Sequence, residues 1–386
     1  MGTATLNSIL YVAISRGHLS VFHRPFLRWL RENGYEVDVA ARESPGFVLE
    51  ELDGYHRIDF ARSPFHPGNL KAFFRLVGLL RKRPYTLVHC HTPVASALTR
   101  LAAPLARGKP VVLYTAHGFH FFPGAPALNW ALWLPLEWIL SWLTDFLVVI
   151  NRWDESAARR WLRAREVRRI PGMGVDLDRF RPLPDEVRLA QRGKLGVPGD
   201  VFVMTYVAEF IPRKNHAFLI QSLEALSEKF PNWRLLLAGD GPLVDDVLGE
   251  CARRGLADRV VYLGFRDDLN LVSAAADVVV STSRHEGLAL GVAEMMACGL
   301  PAVVSDDRGH RDLVEHGVSG FIYAQGDQRA FSQALLRLSN DAAKRLAMGA
   351  AARESMKRFS LDQAMEAMTA IYREAQDIAE RRRSPR

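Results

Sequence analysis

The sequence predicts an α/β protein with two doubly wound, Rossmann-like domains, each built on a parallel sheet. Its 386 residues are too many for one compact core and suit two domains of about 150–200 residues each. Short β-branched runs alternate with amphipathic segments, which is typical of βαβ units. This alternation stops at Gly172–Asp200, a segment rich in glycine, proline and charge, and then starts again. We interpret that segment as an interdomain connection.

The predicted strands of the first half begin with Ser8–Ser15, which is followed by Gly17 and by a helix that continues to about Glu32. The other strands predicted in this half are Glu36–Ala41, Thr86–His91, Pro110–Tyr114 and Phe146–Ile150. Those of the second half are Val201–Val207, Arg234–Ala238, Val260–Leu263, Asp277–Ser281 and Pro301–Ser305. A long amphipathic helix, about Leu361–Arg381, and a basic tail end the chain. Two successive doubly wound units predict a ligand site between them, at the carboxyl ends of the strands.

The composition is that of a globular protein, with 48% hydrophobic and 24% charged residues. The three cysteines, Cys90, Cys251 and Cys298, stand far apart and form no CxxC pair, and the sequence shows no secretory leader. A disulfide framework or a zinc site is therefore not expected, and a reducing compartment is favoured.

The positive charge is concentrated in the first part of the chain. Residues 1–170 contain 22 Lys/Arg and 13 Asp/Glu, a net charge of +9, which leaves −2 of the total of +7 for the rest. This asymmetry predicts that the first half meets an anionic partner. Because no nucleic-acid-binding signature is present, an anionic membrane surface is the favoured partner and nucleic acid is not expected.

The segment from 125 to 150 is strongly apolar and allows three interpretations. It contains four tryptophans, Trp130, Trp133, Trp138 and Trp142, but Pro135, Glu137 and Asp145 interrupt it. A membrane-spanning helix needs about 20 apolar residues, so spanning is disfavoured. A core helix followed by a strand is favoured. A helix seated in the bilayer interface stays open, because tryptophan is enriched there and the arginine-rich stretch 159–169 follows.

The most informative stretch for chemistry is Ser281–Pro301, STSRHEGLALGVAEMMACGLP. A predicted strand ends at Ser281, and a helix is predicted over Leu288–Cys298. Backbone amides at the helix start, those of Gly287, Leu288, Ala289 and Leu290, would offer a seat for a diphosphate. Glu286 and Glu294 would flank one ligand, with Glu286 near sugar hydroxyls and Glu294 on the ribose hydroxyls. A capping carboxylate and a solvated glutamate are the structural alternatives.

Three further loops follow predicted strands. Ala208–Asn215 (AEFIPRKN) carries Arg213 and Lys214, two cations that could neutralise a leaving diphosphate without a metal. Leu237–Pro242 (LAGDGP) has Gly239 and Gly241, which allow close backbone approach. Leu263–Asp268 (LGFRDD) places Gly264, Phe265 and Arg266 where the backbone could contact a nucleobase edge. Each loop alone also fits an ordinary solvated turn.

Together these motifs resemble the retaining glycosyltransferases of family 4, which have the GT-B fold. SRHEGLALGVAEMMACGLP is similar to the family's E-x7-E block, AEFIPRKN to its diphosphate-binding loop, and GVDLDRF (174–180) to its interdomain signature. SDDRGHRDLVEHGVSGF (305–321) is similar to the segment after the E-x7-E helix. TAHGFHF (115–121) resembles the bacterial subgroup that makes capsule, exopolysaccharide or lipid-linked oligosaccharides.

The resemblance implies domains at 1–175 for the acceptor and 176–360 for the nucleotide sugar. The helix of 361–386 would cross back to the first domain. His117 would position the donor sugar across a central cleft, and Gly17 would leave room for the diphosphate and acceptor, with His18 near the acceptor. Arg213 and Lys214 would clamp the diphosphate. His117, Glu286, Lys214 and Arg213 are the implied catalytic residues.

The sequence departs from the family pattern in two loops. Ser15-Arg16-Gly17-His18 stands where many relatives have a Gly-Gly pair, and Ala208-Glu209 stands where many have Gly-Arg. Phosphate binding would therefore depend on Arg213, Lys214 and the helix dipole. No metal or cofactor is expected, because the DxD-like Asp176-Leu177-Asp178 belongs to the interdomain signature.

The implied activity is retaining transfer of a hexose or N-acetylhexosamine from a nucleotide-diphosphate sugar, with UDP favoured. The implied acceptor is a polyprenyl-diphosphate-linked glycan in cell-surface polysaccharide synthesis. The implied location is the cytoplasm, at the inner face of the plasma membrane. The alternatives are a 2-epimerase-like or phosphorylase-like GT-B enzyme and a non-catalytic subunit of a polysaccharide assembly complex. An NAD-dependent oxidoreductase is disfavoured because the first turn lacks GxGxxG.

Overall fold

A computed structural model describes residues 7–227 and 230–383. The chain divides into two compact units, the first formed by residues 1–173 and 363–386 and the second by residues 174–362. Each unit contains one sheet whose paired strands are all parallel. The end of the predicted basic tail, residues 384–386, lies outside the described residues.

The first unit has a seven-stranded sheet in the order β3-β2-β1-β4-β5-β6-β7. Its strands are β1 (Ser8–Ser15), β2 (Glu36–Arg42), β3 (Gly54–Arg57), β4 (Leu87–His91), β5 (Val111–Ala116), β6 (Phe146–Val149) and β7 (Glu166–Arg169). Its first six helices are α1 (Arg16–Phe22), α2 (Arg24–Glu32), α3 (Gly68–Lys82), α4 (Pro93–Ala102), α5 (Ala127–Ser141) and α6 (Arg152–Trp161), with a short 3-10 turn at Ala103–Leu105.

The second unit has a six-stranded sheet in the order β10-β9-β8-β11-β12-β13. Its strands are β8 (Phe202–Val207), β9 (Trp233–Ala238), β10 (Val260–Gly264), β11 (Val278–Ser281), β12 (Ala302–Ser305) and β13 (Gly320–Tyr323). Its helices are α7 (Asp185–Lys194), α8 (His216–Ser227), α9 (Val244–Arg253), α10 (Leu269–Ala275), α11 (Leu290–Ala297), α12 (Arg308–Leu313), α13 (Gln328–Asn340) and α14 (Ala342–Met356). Short 3-10 turns lie at Pro212–Lys214, Ala257–Arg259 and Lys357–Phe359. This strand order is that of a doubly wound fold.

Both faces of the second sheet are covered by apolar layers. Alternate residues of β8 point to opposite sides, so that Val203 packs in one cluster and Met204 in the other. Strands buried on both faces appear in sequence as continuous apolar runs. This explains why Val201–Val207 and Asp277–Ser281 were recognisable, and the predicted α/β doubly wound class is confirmed.

The last helix, α15 (Leu361–Arg383), belongs to the first unit although the second unit precedes it in the chain. The Tyr372 hydroxyl lies 2.9 Å from His89 Nδ1 of β4, and it also contacts the Tyr11 hydroxyl. Arg168 of β7 donates to Glu374 at 3.0 Å. Helix α15 therefore completes the packing of the first unit.

The helix predicted from Gly17 to about Glu32 is wrong in one respect, because two helices are present. α1 ends at Phe22, α2 begins at Arg24, and His23 between them has φ −120° and ψ −3°. Pro25 lies in the first turn of α2, where its missing N–H costs nothing, whereas inside a longer helix it would break a hydrogen bond. The proline explains the break.

The predicted interdomain connection, Gly172–Asp200, is also wrong in most of its length. Residues from Gly174 onward belong to the second unit. Within them, α7 is anchored by Arg192, which is buried and donates to the Asp277 carboxylate at 2.8 Å and to the Ala275 carbonyl at 3.1 Å. A polar segment can thus be part of a packed unit when its charges are paired.

The apolar segment from 125 to 150 forms α5 followed by β6, as favoured. Its Glu137 is buried and accepts two hydrogen bonds from Arg100, at 2.7 and 3.1 Å. Leu128, Trp138, Ile139 and Trp142 are exposed. Within the part of the chain that the structure describes, no helix combines the length and apolar character needed to cross a membrane.

Candidate functional site

The candidate site of the second unit lies where its chain order reverses. β8 and β11 are neighbours in the sheet, and the connections that leave them run to opposite sides of the strand order. Crevices at the carboxyl ends of such strands are the usual ligand sites of doubly wound sheets. Arg213 and Lys214 follow β8, and Glu286 follows β11.

These three predicted residues form one charged cluster. Arg213 Nη1 donates to Glu286 Oε2 at 2.7 Å and to the His285 carbonyl at 3.0 Å. Lys214 Nζ donates to Glu286 Oε1 at 2.5 Å. Two cations and one carboxylate leave a net charge of +1. The cluster can therefore attract an anion, and Glu286 fixes the positions of both cations at the strand ends.

The Glu286 side chain is buried, and burial alone would raise its pKa. Lys214 and Arg213 outweigh that effect and hold the pKa of Glu286 well below its usual range. Glu286 is therefore ionised at neutral pH, where it acts as a negative charge and a hydrogen-bond acceptor rather than as a proton donor.

The backbone around the cluster is fixed by residues that the sequence analysis did not single out. The Lys214 carbonyl accepts from the Tyr206 hydroxyl at 2.7 Å and from the Thr282 hydroxyl at 3.0 Å. Asp307 Oδ1 accepts from the Glu286 amide at 2.9 Å and also caps α12. Asp307 stands in the SDDRGH run, so an acidic residue shortly after the predicted strand Pro301–Ser305 was the available signal.

Three glycines predicted to bind the nucleotide lie beside the β8 exit. A Cβ atom on Gly239 would come within 2.0 Å of the Ala208 carbonyl oxygen, and one on Gly241 within 2.7 Å of that of Phe210. The Gly239 amide donates to the Gly264 carbonyl at 2.8 Å. The exits of β8, β9 and β10 are thus joined, and Gly239 and Gly241 are required for that close approach.

The other two residues of the β10 exit differ in exposure and pairing. Phe265 is 63% exposed. Arg266 pairs with Asp268, with Nε 2.6 Å from Oδ1. Its guanidinium therefore has a carboxylate partner within its own loop.

The helix that carries Glu294 begins later than predicted. α11 starts at Leu290 with Ala289 as its N-cap, so the amides of Gly287 and Leu288 belong to the preceding loop and not to the helix start. The side chains of Leu288 and Leu290 pack against the apolar core and so fix the position of this segment. Gly291 places the first turn against β8, since its Cβ would meet the Val207 carbonyl at 2.9 Å.

Glu294 itself differs in charge state from Glu286. Burial raises the pKa of Glu294 to about 7, and Arg179 opposes this rise. Near neutral pH the carboxyl is therefore poised between its two protonation states. A ligand that donates hydrogen bonds to it would favour the ionised form.

The predicted residues of the first unit lie at the equivalent ends of its strands. Gly17 follows β1, but the space left by its missing side chain faces Phe47 and Ser44, at 3.2 and 3.3 Å from an ideal Cβ. Gly17 therefore permits the packing of that loop rather than leaving open room. His117 follows β5, and its Nε2 lies 3.4 Å from His91 Nδ1.

His117 belongs to a cluster of imidazoles that the sequence analysis missed. The ring centroids of His18 and His23 lie 4.9 and 5.3 Å from that of His117. Burial lowers the pKa of His18 to about 4 and holds the pKa values of His23 and His117 well below 6.5. These rings are therefore neutral at pH 7.

Two family models together span most of the chain. "Glycosyltransferase Family 4" matches residues 24–179 and "Glycosyl transferases group 1" matches residues 187–355. The protein named glycosyltransferase EpsD of Bacillus subtilis (strain 168) is 37% identical over 378 residues, 97% of this chain and 99% of that protein. The chain belongs to the family 4 glycosyltransferases. Its Arg213–Lys214–Glu286 cluster is therefore in the unit that the group 1 model covers.

Further relatives of this glycosyltransferase agree. The UDP-Gal:alpha-D-GlcNAc-diphosphoundecaprenol alpha-1,3-galactosyltransferase of Escherichia coli is 29% identical over 80% of this chain and 81% of its own length. Sucrose-phosphate synthase from Thermosynechococcus elongatus superposes with a TM-score of 0.80 at 21% identity, covering 95% of this chain and 98% of that one. Anabaena HepE in complex with UDP and glucose gives 0.79 at 22%, covering 95% and 100%. The predicted family and GT-B fold are confirmed.

Proposed function

We propose that this glycosyltransferase moves a hexose or N-acetylhexosamine, with retention, from a UDP-sugar to a polyprenyl-diphosphate-linked glycan. Two relatives support this choice of substrates. The E. coli relative is named for a UDP-sugar donor and a diphosphoundecaprenol-linked acceptor, and HepE binds UDP-glucose in a solved structure. The product would serve cell-surface polysaccharide synthesis.

The single observation that carries the proposal is the charged cluster of Arg213, Lys214 and Glu286 at the strand ends of the second unit. An arriving diphosphate would share the two cations with Glu286, so part of its negative charge would be offset without a metal ion. We propose that donor binding needs no Mg²⁺ or Mn²⁺ for this reason. Amides at the start of α11 would add the helix dipole.

The reaction fits a front-face displacement. The bond between the anomeric carbon and the β-phosphate oxygen breaks, and a bond from the anomeric carbon to the acceptor oxygen forms on the same face. The acceptor hydroxyl proton passes to the departing phosphate oxygen, which gives UDP. The chain would contribute orientation and stabilisation of the charge that grows on the leaving diphosphate.

We assign roles to the remaining site residues from the protonation state and chemistry of their side chains. Glu286, held ionised, would accept hydrogen bonds from sugar hydroxyls, and Glu294 would accept from the ribose hydroxyls. His117, neutral at pH 7, would donate or accept a hydrogen bond at the sugar. Phe265 and the Gly264 backbone would contact the base.

We also propose that the enzyme works in the cytoplasm, attached peripherally to the inner face of the plasma membrane. The exposed Trp138, Ile139 and Trp142 of α5 support this, together with the net charge of +9 over residues 1–170. Aromatic side chains and cations are favoured at an anionic bilayer surface. Sedimentation with anionic vesicles, reversed by high salt, is the expected behaviour, and no binding at low salt would contradict it.

A donor-panel assay tests the function. Purified full-length enzyme is incubated in EDTA with UDP-, GDP- and dTDP-sugars and membrane lipid extract, and products are measured by mass spectrometry. We expect one UDP-sugar to give a lipid-linked product one sugar heavier. An epimerised nucleotide sugar formed without acceptor would indicate a 2-epimerase, and no donor turnover at all would indicate a non-catalytic subunit. Activity that EDTA abolishes and Mg²⁺ restores would overturn metal independence.

A further inference from the structure

Three imidazoles of the first unit are spaced like the ligands of one metal ion. A ring nitrogen of each of His18, His23 and His117 lies within 4.8 Å of those of the other two. Their ring centroids are 5.3, 4.9 and 5.3 Å apart. Three imidazoles around a tetrahedral ion at a Zn–N distance of about 2.0–2.1 Å have centroids about 5 Å apart. The nitrogens of such a site are about 3.3 Å apart, so the imidazole rings must rotate to bring their nitrogens closer before they complete a coordination sphere.

The same rings lack the hydrogen bonds that buried polar groups normally have. His23 is 1% exposed, and within the described chain neither of its nitrogens has a hydrogen-bond partner. His18 Nε2 is likewise buried, and the described residues offer it no partner. An unsatisfied buried polar atom destabilises the folded state, and such atoms are rare in native proteins. A ligand bound by these nitrogens would remove that destabilisation.

The chemistry of the cluster selects the kind of ligand. Imidazole nitrogens favour Zn²⁺, Cu²⁺ and Ni²⁺, whereas Ca²⁺ and Mg²⁺ need oxygen ligands. The three members of the cluster found among the described residues supply nitrogen alone.

We propose that His18, His23 and His117 bind one transition-metal ion of the zinc class, with three protein ligands and a fourth position open. Zinc sites with three protein ligands keep such a position for water or a substrate oxygen. His18 and His117 are only partly buried, so an ion can enter from their side. His91 Nδ1 lies 3.4 Å from His117 Nε2, and this contact orients the His117 ring.

The ion would affect catalysis by occupying His117. If His117 positions the donor sugar, as the proposed function states, Zn²⁺ on that ring removes its lone pair and blocks the approach of the sugar. The enzyme would then be active in a chelator and inhibited by Zn²⁺. This second part rests on the proposed function, whereas the metal site itself does not.

Direct metal binding to the full-length, chelator-stripped enzyme tests the site. Zn²⁺ is titrated in competition with a chromophoric chelator, and Co²⁺ is followed by its visible absorption, which is intense for tetrahedral sites. We expect one ion per chain. His18→Ala, His23→Gln and His117→Ala should each weaken binding at least about 100-fold, because even residues behind the ligands contribute about 10–100-fold. His66→Ala removes an exposed histidine of the same unit and should change nothing.

The possible outcomes are separable. Each variant is first checked by circular dichroism, and if His23→Gln does not fold, the partly exposed His18 carries the test. Absence of stoichiometric binding to the folded wild type, or equal binding by His18→Ala, would overturn the site. Sugar transfer in EDTA without Zn²⁺ binding would leave the proposed function intact. Zn²⁺ binding without any transfer would leave the site intact and reject the function.

Discussion

The two units carry unlike side chains at equivalent places in their sheets. In the second unit, the loops after β8 and β11 bring together two cations and a carboxylate, each paired within 2.7 Å. In the first unit, helix α1, its junction with α2 and the loop after β5 bring together neutral imidazoles, and His23 has no hydrogen-bond partner within the described residues. The doubly wound topology fixes where a site lies, and the residue types decide what it binds. The two cations of the second unit suit an anionic ligand. The imidazole nitrogens of the first unit suit a metal ion, which accepts their lone pairs.

Of the changes considered, removal of one cation from the Arg213–Lys214–Glu286 cluster should reduce the transfer rate most. We expect Lys214→Ala to lower the transfer rate by about 10²–10³-fold, as when one preorganised donor to a developing charge is lost. The fold should persist, because Arg213 still pairs with Glu286. Initial rates at saturating donor measure the effect. Lys194→Ala, at the exposed end of α7, is the matched control, and near-wild-type rates for Lys214→Ala would reject its role.

Displacing the carboxylate without changing any charge should have the next largest effect. A Cβ on Gly309 would lie 2.9 Å from Glu286 Cβ and 3.0 Å from its carbonyl oxygen, so Gly309→Ala must shift Glu286. We expect at least about a tenfold loss of kcat/KM, because small misplacements at a reacting centre are costly. Gly249→Ala, whose Cβ meets only a flexible arginine at 3.5 Å, should keep full activity. Equal rates for both variants would show that the position of Glu286 is unimportant.

The pH dependence of UDP binding sharpens the comparison between the two glutamates. Burial raises the pKa of Glu294 to about 7, and ribose hydroxyls that donate hydrogen bonds to it would favour its ionised form. We therefore expect the Kd for UDP to rise as pH falls below 7, by up to about tenfold per unit. Glu294→Gln should lack this component, and the difference between the two titrations isolates it from the titration of UDP itself. Parallel profiles would exclude Glu294 from the ribose site.

The same raised pKa has a consequence for stability with a defined sign. A carboxyl whose pKa is higher in the folded than in the unfolded protein favours folding at low pH, and that contribution is lost as pH rises through about 7. In Glu294→Gln this decrease should disappear. Calorimetry from pH 5 to 8, at matched ionic strength, measures it.

The smallest expected effect is on the stability of the first unit, which contains the imidazole cluster. Tyr372→Phe removes the hydroxyl that contacts His89 Nδ1 at 2.9 Å and the Tyr11 hydroxyl. We expect a loss of about 1–3 kcal/mol of unfolding free energy and a fall of a few degrees in Tm. Tyr262→Phe in β10 of the second unit is the control and should change Tm little. An unchanged Tm for Tyr372→Phe would show that the hydroxyl contributes nothing.

The charged cluster could be predicted from the sequence because its parts lie in contiguous motifs. AEFIPRKN follows one strand and SRHEGLALG another, and strands buried on both faces are easy to recognise. The start of α11 was misplaced because nothing in GLAL marks an N-cap, and tertiary packing of Leu288 and Leu290 decides it. Asp307, which accepts from the Glu286 amide, could be assigned only once the loops were brought together.

The imidazole cluster could not be predicted in the same way. Its members are 5 to 99 residues apart in the sequence, and each alone is an ordinary histidine. The expectation of a continuous helix from Gly17 to Glu32 also hid the break at His23. Strands β3 and β7 escaped prediction because GYHR and EVRR are polar and only partly buried, so they lack a continuous apolar run; β13 (GFIY) was also missed.

The return of α15 to the first unit has a consequence for biogenesis. The second unit is encoded without interruption, whereas the first is completed only by residues 363–386. The amino-terminal unit therefore cannot be completed until the whole segment that forms the second unit has been synthesised. A stop codon near position 362 would remove α15 and so destabilise the first unit, although the rest of that unit is synthesised first.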